Sequence, residues 1–188
     1  MNVLVKQHGR VSIITINRPK AKNAVDRETS RNLTEAFKKF DEDPESDVAI
    51  LTGSEGIFCA GADLKALSSG KGNKIRKDGD GPMGPTRLLL SKPTIAAVEG
   101  YAVAGGLVLA IWCDLRVAAA ETYIGLVEVG VGLIPGAGGN LRLLSNLSKK
   151  IKTGITGTLP LVQKTFETIA FAKVATSAKH AKSLGYFI

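Results

Sequence analysis

At 188 residues the chain is long enough for one domain with a sizeable core, and the expected domain spans residues 1–188. Its 44% hydrophobic and 22% charged residues are ordinary for a globular protein, and no apolar run approaches the roughly 20 residues of a membrane span, so we expect no membrane partner. The formal net charge of +8 favours a polyanionic partner, but aromatic residues are only 5% and no helix-turn-helix, zinc-finger or RNP-type pattern occurs, which favours a small phosphorylated ligand over nucleic acid.

The first fifty residues predict two strands, a helix and a third strand. Strands are expected at residues 3–6 and 11–16. Asp26 is a typical N-cap for a helix whose apolar residues recur at helical spacing as far as Phe40. The run "DVAILTG" at 47–53 is apolar and closed by glycine, which is typical of a strand buried on both faces.

The next stretch, "IFCAGADLKAL" at 57–67, passes through Ala-Gly-Ala and at once resumes helical spacing. A glycine between alanines lets the backbone approach another group closely. The first N–H groups of a helix have no partner within the helix, so such a junction can bind an oxyanion or a phosphate. The alternative is a tight packing turn, and this stretch alone does not separate the two readings.

The remainder of the chain alternates between strands and helices. The pattern predicts a glycine-rich surface loop at 68–84, a short helix at 86–90, a buried strand at 94–98, an apolar helix at 103–112, a strand at 114–119, an extended piece at 123–127, and helices from near 140, around 162–170 and at 178–184. This alternation predicts an α/β class with a largely parallel sheet.

A second junction, "GYAVAGGLVLAIWCD" at 100–114, has the same arrangement as the first. A predicted strand runs into Gly100, and small residues then open a buried helix. Because the carboxyl ends of parallel strands share one edge of a sheet, we expect both junctions to face one pocket. Two backbone donors around one pocket form an oxyanion hole, which can stabilise a thioester enolate by several kcal/mol. Neither glycine run matches a nucleotide-binding loop.

Cysteine and histidine usage excludes several other kinds of site. Cys59 and Cys113 stand far apart in no metal spacing, which fits a reducing cytoplasm, and we expect no metal. The chain has only two histidines, His8 and His180, which argues against a histidine metal site or a serine–histidine triad. The N-terminus begins directly with strand patterns and not with a signal or transit peptide, so we expect a cytoplasmic protein.

Four motifs, "NRPKAKNAV", "IFCAGADLKAL", "GYAVAGGLVLAIWCDLRVA" and "GLVEVGVGLIPGAGGNLRLL", stand in the order seen in the crotonase (enoyl-CoA hydratase/isomerase) superfamily. The chain resembles that family over nearly all of residues 1–147. The resemblance implies a crotonase-like fold of repeated β-β-α units with a largely parallel sheet flanked by helices. It also implies binding of an acyl-CoA or enoyl-CoA thioester without a metal or redox cofactor, and assembly into a homo-oligomer, a trimer or hexamer.

The same resemblance implies roles for individual residues. The backbone N–H groups of Ala62 and Gly105 would hold the thioester oxygen. The residues along the CoA moiety would be Lys20, Ala21, Lys22, Ala60, Ala62, Asp63, Leu64, Lys65 and Gly105.

Family hydratases usually carry glutamate at two positions; here the first is replaced by Val108, and the second is present as Glu128. Two carboxylates suit hydration, because water must be held and deprotonated while the α-carbon receives a proton. A single carboxylate can still move a proton between two carbons, which is isomerase chemistry. Glu128 is the predicted catalytic residue; the alternative is a solvated strand-end charge, but apolar neighbours Val127 and Val129 favour a buried acid of raised pKa. For Val108 the plain reading is core packing.

The two halves resemble different relatives. Residues 1–120 are similar to stand-alone enoyl-CoA hydratases, and the rest is similar to the hydratase-like domain of certain 3-hydroxyacyl-CoA dehydrogenases. Family members usually continue past the equivalent of residue 188 into C-terminal helices, so the domain is expected to be C-terminally short. The leading hypothesis is an enoyl-CoA hydratase/isomerase of fatty-acid β-oxidation. The alternatives are a Δ3,Δ2-enoyl-CoA isomerase using one glutamate, and a non-catalytic acyl-CoA-binding or assembly protein.

Overall fold

Two N-terminal strands, β1 (Val3–His8) and β2 (Val11–Ile16), form an antiparallel hairpin. Gly9 makes the turn between them with a φ of 56°, a conformation that glycine adopts without steric cost. Ile14 and Ile16 of β2 are fully buried and start the core. These strands belong to a computed structural model that describes residues 1–74, 78–149 and 157–187.

Helix α1 (Arg27–Glu42) follows, and its predicted N-cap is confirmed. The Asp26 carboxylate accepts a hydrogen bond from the N–H of Thr29 at 2.8 Å. The face turned toward the sheet carries the buried residues Leu33, Ala36, Phe37 and Phe40.

Strands β3 (Val48–Gly53), β4 (Thr94–Val98) and β6 (Leu115–Ala118) join the hairpin in a sheet of order β1-β2-β3-β4-β6. Every pair from β2 onward is parallel. The predicted largely parallel sheet and the α/β class are therefore confirmed.

A smaller sheet contains β5 (Tyr101–Val103), β7 (Tyr123–Gly125) and β8 (Val174–Ala175). β5 and β7 are parallel, and β8 runs antiparallel to β7. The sequence analysis predicted neither β5 nor β8, and the two residues of β8 are too few for a hydrophobic period to appear. The predicted extended piece at 123–127 is a strand only as far as Gly125.

Five further helices complete the described chain: α2 (Leu64–Ser68), α3 (Gly105–Trp112), α4 (Gly139–Ser148), α5 (Leu159–Ala170) and α6 (Ala178–Leu184). Helix α3 is buried on all sides, as its uniformly apolar sequence predicted. It begins two residues later than expected, because β5 occupies the preceding residues.

The predicted helix at 86–90 is wrong. A single 3-10 turn, Pro85–Arg87, is followed by extended backbone at Leu88. From there the chain has a period of two, since Leu88 and Leu90 pack against the core while Leu89 is 99% exposed. The apolar run therefore leads into β4 as an extended segment. Residues 75–77 of the predicted surface loop lie outside the described residues.

Within the described ranges, no helix is both long enough and apolar enough to cross a membrane. The same part of the chain contains no cluster of three or more histidine, cysteine, aspartate or glutamate residues that could hold a metal ion.

Candidate active site

The two glycine-containing junctions lie against each other. The N–H of Cys59 donates to the carbonyl of Tyr101 at 2.8 Å, and the N–H of Val103 donates to the carbonyl of Cys59 at 3.2 Å. A Cβ placed on Gly61 would lie 3.2 Å from the nitrogen of Gly105. The Ala-Gly-Ala turn therefore packs directly on the start of α3.

This packing leaves two backbone donors unpaired. The hydrogen bonds beside Ala62 run from the N–H of Val25 to the carbonyl of Gly61 and from the N–H of Asp63 to the carbonyl of Val25. Gly105 is the first residue of α3, so its N–H has no acceptor within the helix. Among the described residues, neither the N–H of Ala62 nor that of Gly105 has a hydrogen-bond partner.

Close approach of α3 depends on the second glycine of its pair. A Cβ on Gly106 would lie 2.1 Å from the carbonyl oxygen of Cys59, a backbone atom that cannot move aside. A Cβ on Gly105 would instead meet the flexible side chain of Met83, 2.5 Å from its Sδ. Gly106 therefore sets the spacing of the two junctions, and Met83 lies beside the predicted donor.

Ala104, immediately before Gly105, has strained backbone geometry. Its φ is 50° and its ψ is −125°, which is a region that residues with a Cβ rarely adopt. Its N–H donates to the carbonyl of Gly125 at 2.8 Å and holds the turn against β7. Such strain costs about 1–3 kcal/mol and persists where the surrounding structure imposes it.

We expect Ala104→Gly to raise the free energy of unfolding by about 1 kcal/mol, because relief of the strain exceeds the added entropy of glycine in the unfolded chain. Urea denaturation measures the change. The matched control is Ala102→Gly in β5, a buried residue with ordinary φ, which should lower stability. Equal destabilisation by both variants would show that Ala104 is not strained.

Glu128 follows the end of β7, beside the strand end from which Gly105 continues. Val103 pairs with Gly125 in the parallel ladder of β5 and β7, so the two strands end side by side. Gly105 follows one of these ends, and Glu128 follows the other at the start of a 3-10 turn, Glu128–Val131. The structure therefore places the predicted carboxylate and the predicted donor beyond adjacent strand ends.

The Glu128 side chain is half-buried, and its Oε2 is buried without a hydrogen-bond partner among the described residues. Burial raises the pKa of this carboxyl, and a hydrogen bond from its own backbone N–H opposes that rise only in part. A buried carboxylate oxygen without a donor is poorly suited to a purely structural charge. It is suited to accept a proton.

Val108 lies three residues into α3 from Gly105, and its side chain is only 1% exposed. Its N–H donates to the carbonyl of Ala104 at 3.2 Å, as expected in the first turn of a helix. This burial is what core packing of the side chain predicts. A valine here supplies no group that could hold water.

The segments expected along CoA adjoin one another. The N–H of Ala60 donates to the carbonyl of Lys22 at 3.1 Å, which joins the 3-10 turn Pro19–Ala21 to the Ala-Gly-Ala turn. The ammonium of Lys22 lies 5.3 Å from the ring centroid of Tyr101. The most exposed members of the set are Lys20, Lys22, Ala62, Leu64 and Lys65.

The side chain of Asp63 is turned inward, toward a partner that the sequence analysis missed. Arg18 lies 3.0 Å from the Asp26 carboxylate and 2.9 Å from that of Asp63, and it also donates to the carbonyl of Ala24. Burial alone would raise the pKa of Asp63, but hydrogen bonds from the N–H of Ala66 and from Arg18, with the Arg18 charge, lower it overall. The Asp63 carboxylate is therefore engaged by Arg18 and by the backbone N–H of Ala66.

Two more organising residues were missed. Asn23 is fully buried, and its amide donates to the carbonyls of Ser54 (2.9 Å) and Ile57 (2.6 Å), which fixes the lysine-containing turn to the end of β3. Tyr186 donates to the carbonyl of Lys173 at 2.6 Å. Burial raises the pKa of Tyr186 to about 12, and the nearby Glu128 charge adds to this effect. These contacts span long sequence separations, so no local pattern could have indicated them.

A sequence profile described as enoyl-CoA hydratase/isomerase matches residues 6–161. The chain belongs to this family. A short-chain-enoyl-CoA hydratase from Clostridium acetobutylicum is 41% identical over 147 residues, which are 76% of this chain and 56% of that protein. A carnitinyl-CoA dehydratase from Proteus mirabilis is 42% identical over 145 residues, 76% of this chain and 55% of the relative.

Solved structures of family members have the same fold as this chain. An enoyl-CoA hydratase from Mycobacterium marinum superposes with a TM-score of 0.81 at 43% identity, over 98% of this chain and 67% of that one. A carnitinyl-CoA dehydratase from Mycobacterium avium gives 0.82 at 35% identity, over 99% and 68%. These matches confirm the crotonase fold, and the chain spans little more than half the length of the curated family members it matches.

Proposed function

We propose that the protein is an enoyl-CoA hydratase/isomerase-type enzyme acting on fatty enoyl-CoA thioesters. The observation that carries the proposal is the pair of unpartnered N–H groups, of Ala62 and Gly105, at junctions in direct contact. Glu128, with a pKa raised by burial, follows the neighbouring strand end. Family membership supplies the thioester as the substrate class.

In the proposed reaction the thioester oxygen lies between the N–H groups of Ala62 and Gly105. Removal of a proton from the carbon next to the carbonyl moves negative charge onto this oxygen. Donors fixed in advance where charge develops stabilise the enolate more than the ground state, which lowers the barrier. The strained turn at Ala104 keeps one of these donors in place.

Glu128 performs the proton transfers. As a carboxylate it takes a proton from C2 of a Δ3-enoyl thioester, and the C3–C4 double bond shifts to C2–C3 as the proton returns at C4. This isomerisation needs one acid–base group, whereas hydration also needs a group that orients water. Val108 cannot do so, and this observation favours isomerisation as the principal activity.

The exposed lysines beside Ala60 suit the phosphate groups of CoA. Lys20, Lys22 and Lys65 are all exposed, and the carbonyl of Lys22 accepts a hydrogen bond from the N–H of Ala60. The proposal requires no metal or redox cofactor, since every step is a proton transfer. Assembly into a trimer or hexamer stays a prediction from family resemblance.

A non-catalytic acyl-CoA-binding protein is the second candidate, favoured by the same valine. One assay separates the candidates: purified protein is given short Δ3-enoyl-CoA and trans-2-enoyl-CoA, and double-bond migration and hydration are followed. Turnover of either supports the enzyme. Acyl-CoA binding without turnover of either supports the binding protein.

We expect Ala62→Pro to weaken acyl-CoA binding and to lower turnover at least tenfold, because proline has no N–H to donate to the thioester oxygen. Calorimetric titration and the enoyl-CoA assay measure the two effects. Ala62→Gly is the matched control, since it alters the side chain and keeps the N–H. Unchanged affinity and turnover in a folded proline variant would contradict the oxyanion assignment.

A further inference from the structure

A cavity of about 620 Å³ lies beside the C-terminal part of α3. Its walls include Ile111 near the end of α3, one face of α4, and Tyr186 near the C-terminus of the described chain. Ile111 stands six positions after Gly105, which corresponds to about 9 Å along the axis of α3. The volume is in the usual range for a small-molecule site.

The cavity is lined by three cationic side chains that could face a ligand, Arg116, Arg142 and Lys149, and by Arg87, which interacts with another group. The described residues of the lining include no aspartate or glutamate. The carboxylate of Asp114 lies in a smaller adjoining cavity, where its Oδ2 accepts from the N–H and the hydroxyl of Thr94 at 2.8 and 2.9 Å. Even without Arg87, the described residues of the lining therefore carry more positive than negative charge.

Two of the arginines are fixed by the end of α3. Arg142 donates through Nη1 to the carbonyl of Ile111 at 3.0 Å, and Arg116 donates through Nη1 to the carbonyl of Cys113 at 2.7 Å. In each arginine, one guanidinium nitrogen is used to cap the C-terminal end of α3. A guanidinium has five N–H donors, so each arginine is held in position with further donors available to a ligand.

The N-terminus of α4 adds to the positive electrostatic potential in the cavity. Residues 136–138 line the cavity, and the N-cap, Gly138, has no side chain to pair with the first N–H groups of the helix. These groups and the helix dipole favour an anion. The helix dipole, the two arginines held by the end of α3 and the exposed Lys149 all favour a negatively charged ligand.

We propose that this cavity binds a small, multiply charged oxyanion, such as a metabolite with two or more phosphate or carboxylate groups. The proposal does not depend on the function proposed for the thioester site. Both phosphate and carboxylate oxygens match the forked donors of arginine. Inorganic pyrophosphate and citrate are the probes that distinguish the two chemistries.

The test is calorimetric titration of the full chain with each probe, in the presence of an acyl-CoA. We expect one site per chain. Ser145→Glu places a carboxylate in the cavity wall one turn before Lys149 and should weaken probe binding about tenfold. Ser148→Glu makes the same charge change on α4 at a residue that does not line the cavity, and it should change the affinity less than about twofold.

Lys149→Gln removes one cation without touching the arginine caps and should weaken binding about threefold. Equal weakening by Ser145→Glu and Ser148→Glu would show general attraction to a basic surface and overturn the proposal. Competition between the probe and acyl-CoA would assign the probe to the thioester site and overturn it as well. Failure of both probes to bind at millimolar concentration would also overturn it.

Discussion

Replacing Glu128 with glutamine is expected to lower turnover of a short Δ3-enoyl-CoA by about 10²–10⁴-fold, the usual contribution of a positioned acid–base group. Binding of the thioester should change little, because glutamine keeps the shape of the side chain and loses only its ability to move a proton. Steady-state rates combined with calorimetric titration separate the two effects. Equal turnover by both proteins would remove Glu128 from the mechanism.

The matched control is Glu121→Gln, which removes an exposed carboxylate from the turn before β7 and should leave turnover unchanged. The pH profile gives an independent readout. Glu128 must begin the reaction deprotonated, and burial raises its pKa, so activity should fall as the pH drops through a value above the ordinary glutamate range. If activity instead falls at the ordinary pKa of glutamate, the carboxylate of Glu128 is solvated in the active protein.

The sequence predicted the long elements because each has a clear period or composition. The N-cap at Asp26, the buried strand β4 and the all-apolar helix α3 each follow from local chemistry alone. The error at residues 86–90 arose because a run of leucines fits both a helix and an extended segment. Burial on alternate sides distinguishes the two, and only tertiary structure reveals it.

The residues of the candidate site also fall into two groups, those that local sequence features predicted and those that they did not. The motifs around Ala62, Gly105 and Glu128 were found because glycine spacing and a strand-end acid are local features. Arg18 and Tyr186 were missed because their roles exist only through partners distant in sequence: Asp63, 45 residues away, for the first and Lys173 for the second. A residue that positions others through long-range hydrogen bonds leaves no periodic signal in the chain.

Introducing glutamate at Val108 is expected to raise hydration of a short trans-2-enoyl-CoA by tenfold or more, because a second carboxylate could hold and deprotonate water opposite Glu128. The cost is a carboxylate at a position only 1% exposed, a loss of about 1–3 kcal/mol of stability if no partner forms. Loss of the ultraviolet absorbance of the conjugated thioester measures hydration. Circular dichroism shows whether the variant is folded.

Val108→Gln is the control, because it has the same shape and can bind water but cannot take a proton from it. Hydration should therefore rise with glutamate and not with glutamine, while isomerisation, which depends on Glu128, should change much less in either folded variant. If the unaltered protein already hydrates rapidly and folded Val108→Glu is no faster, hydration here does not need a second carboxylate. The valine then does not determine which of the two reactions the site favours.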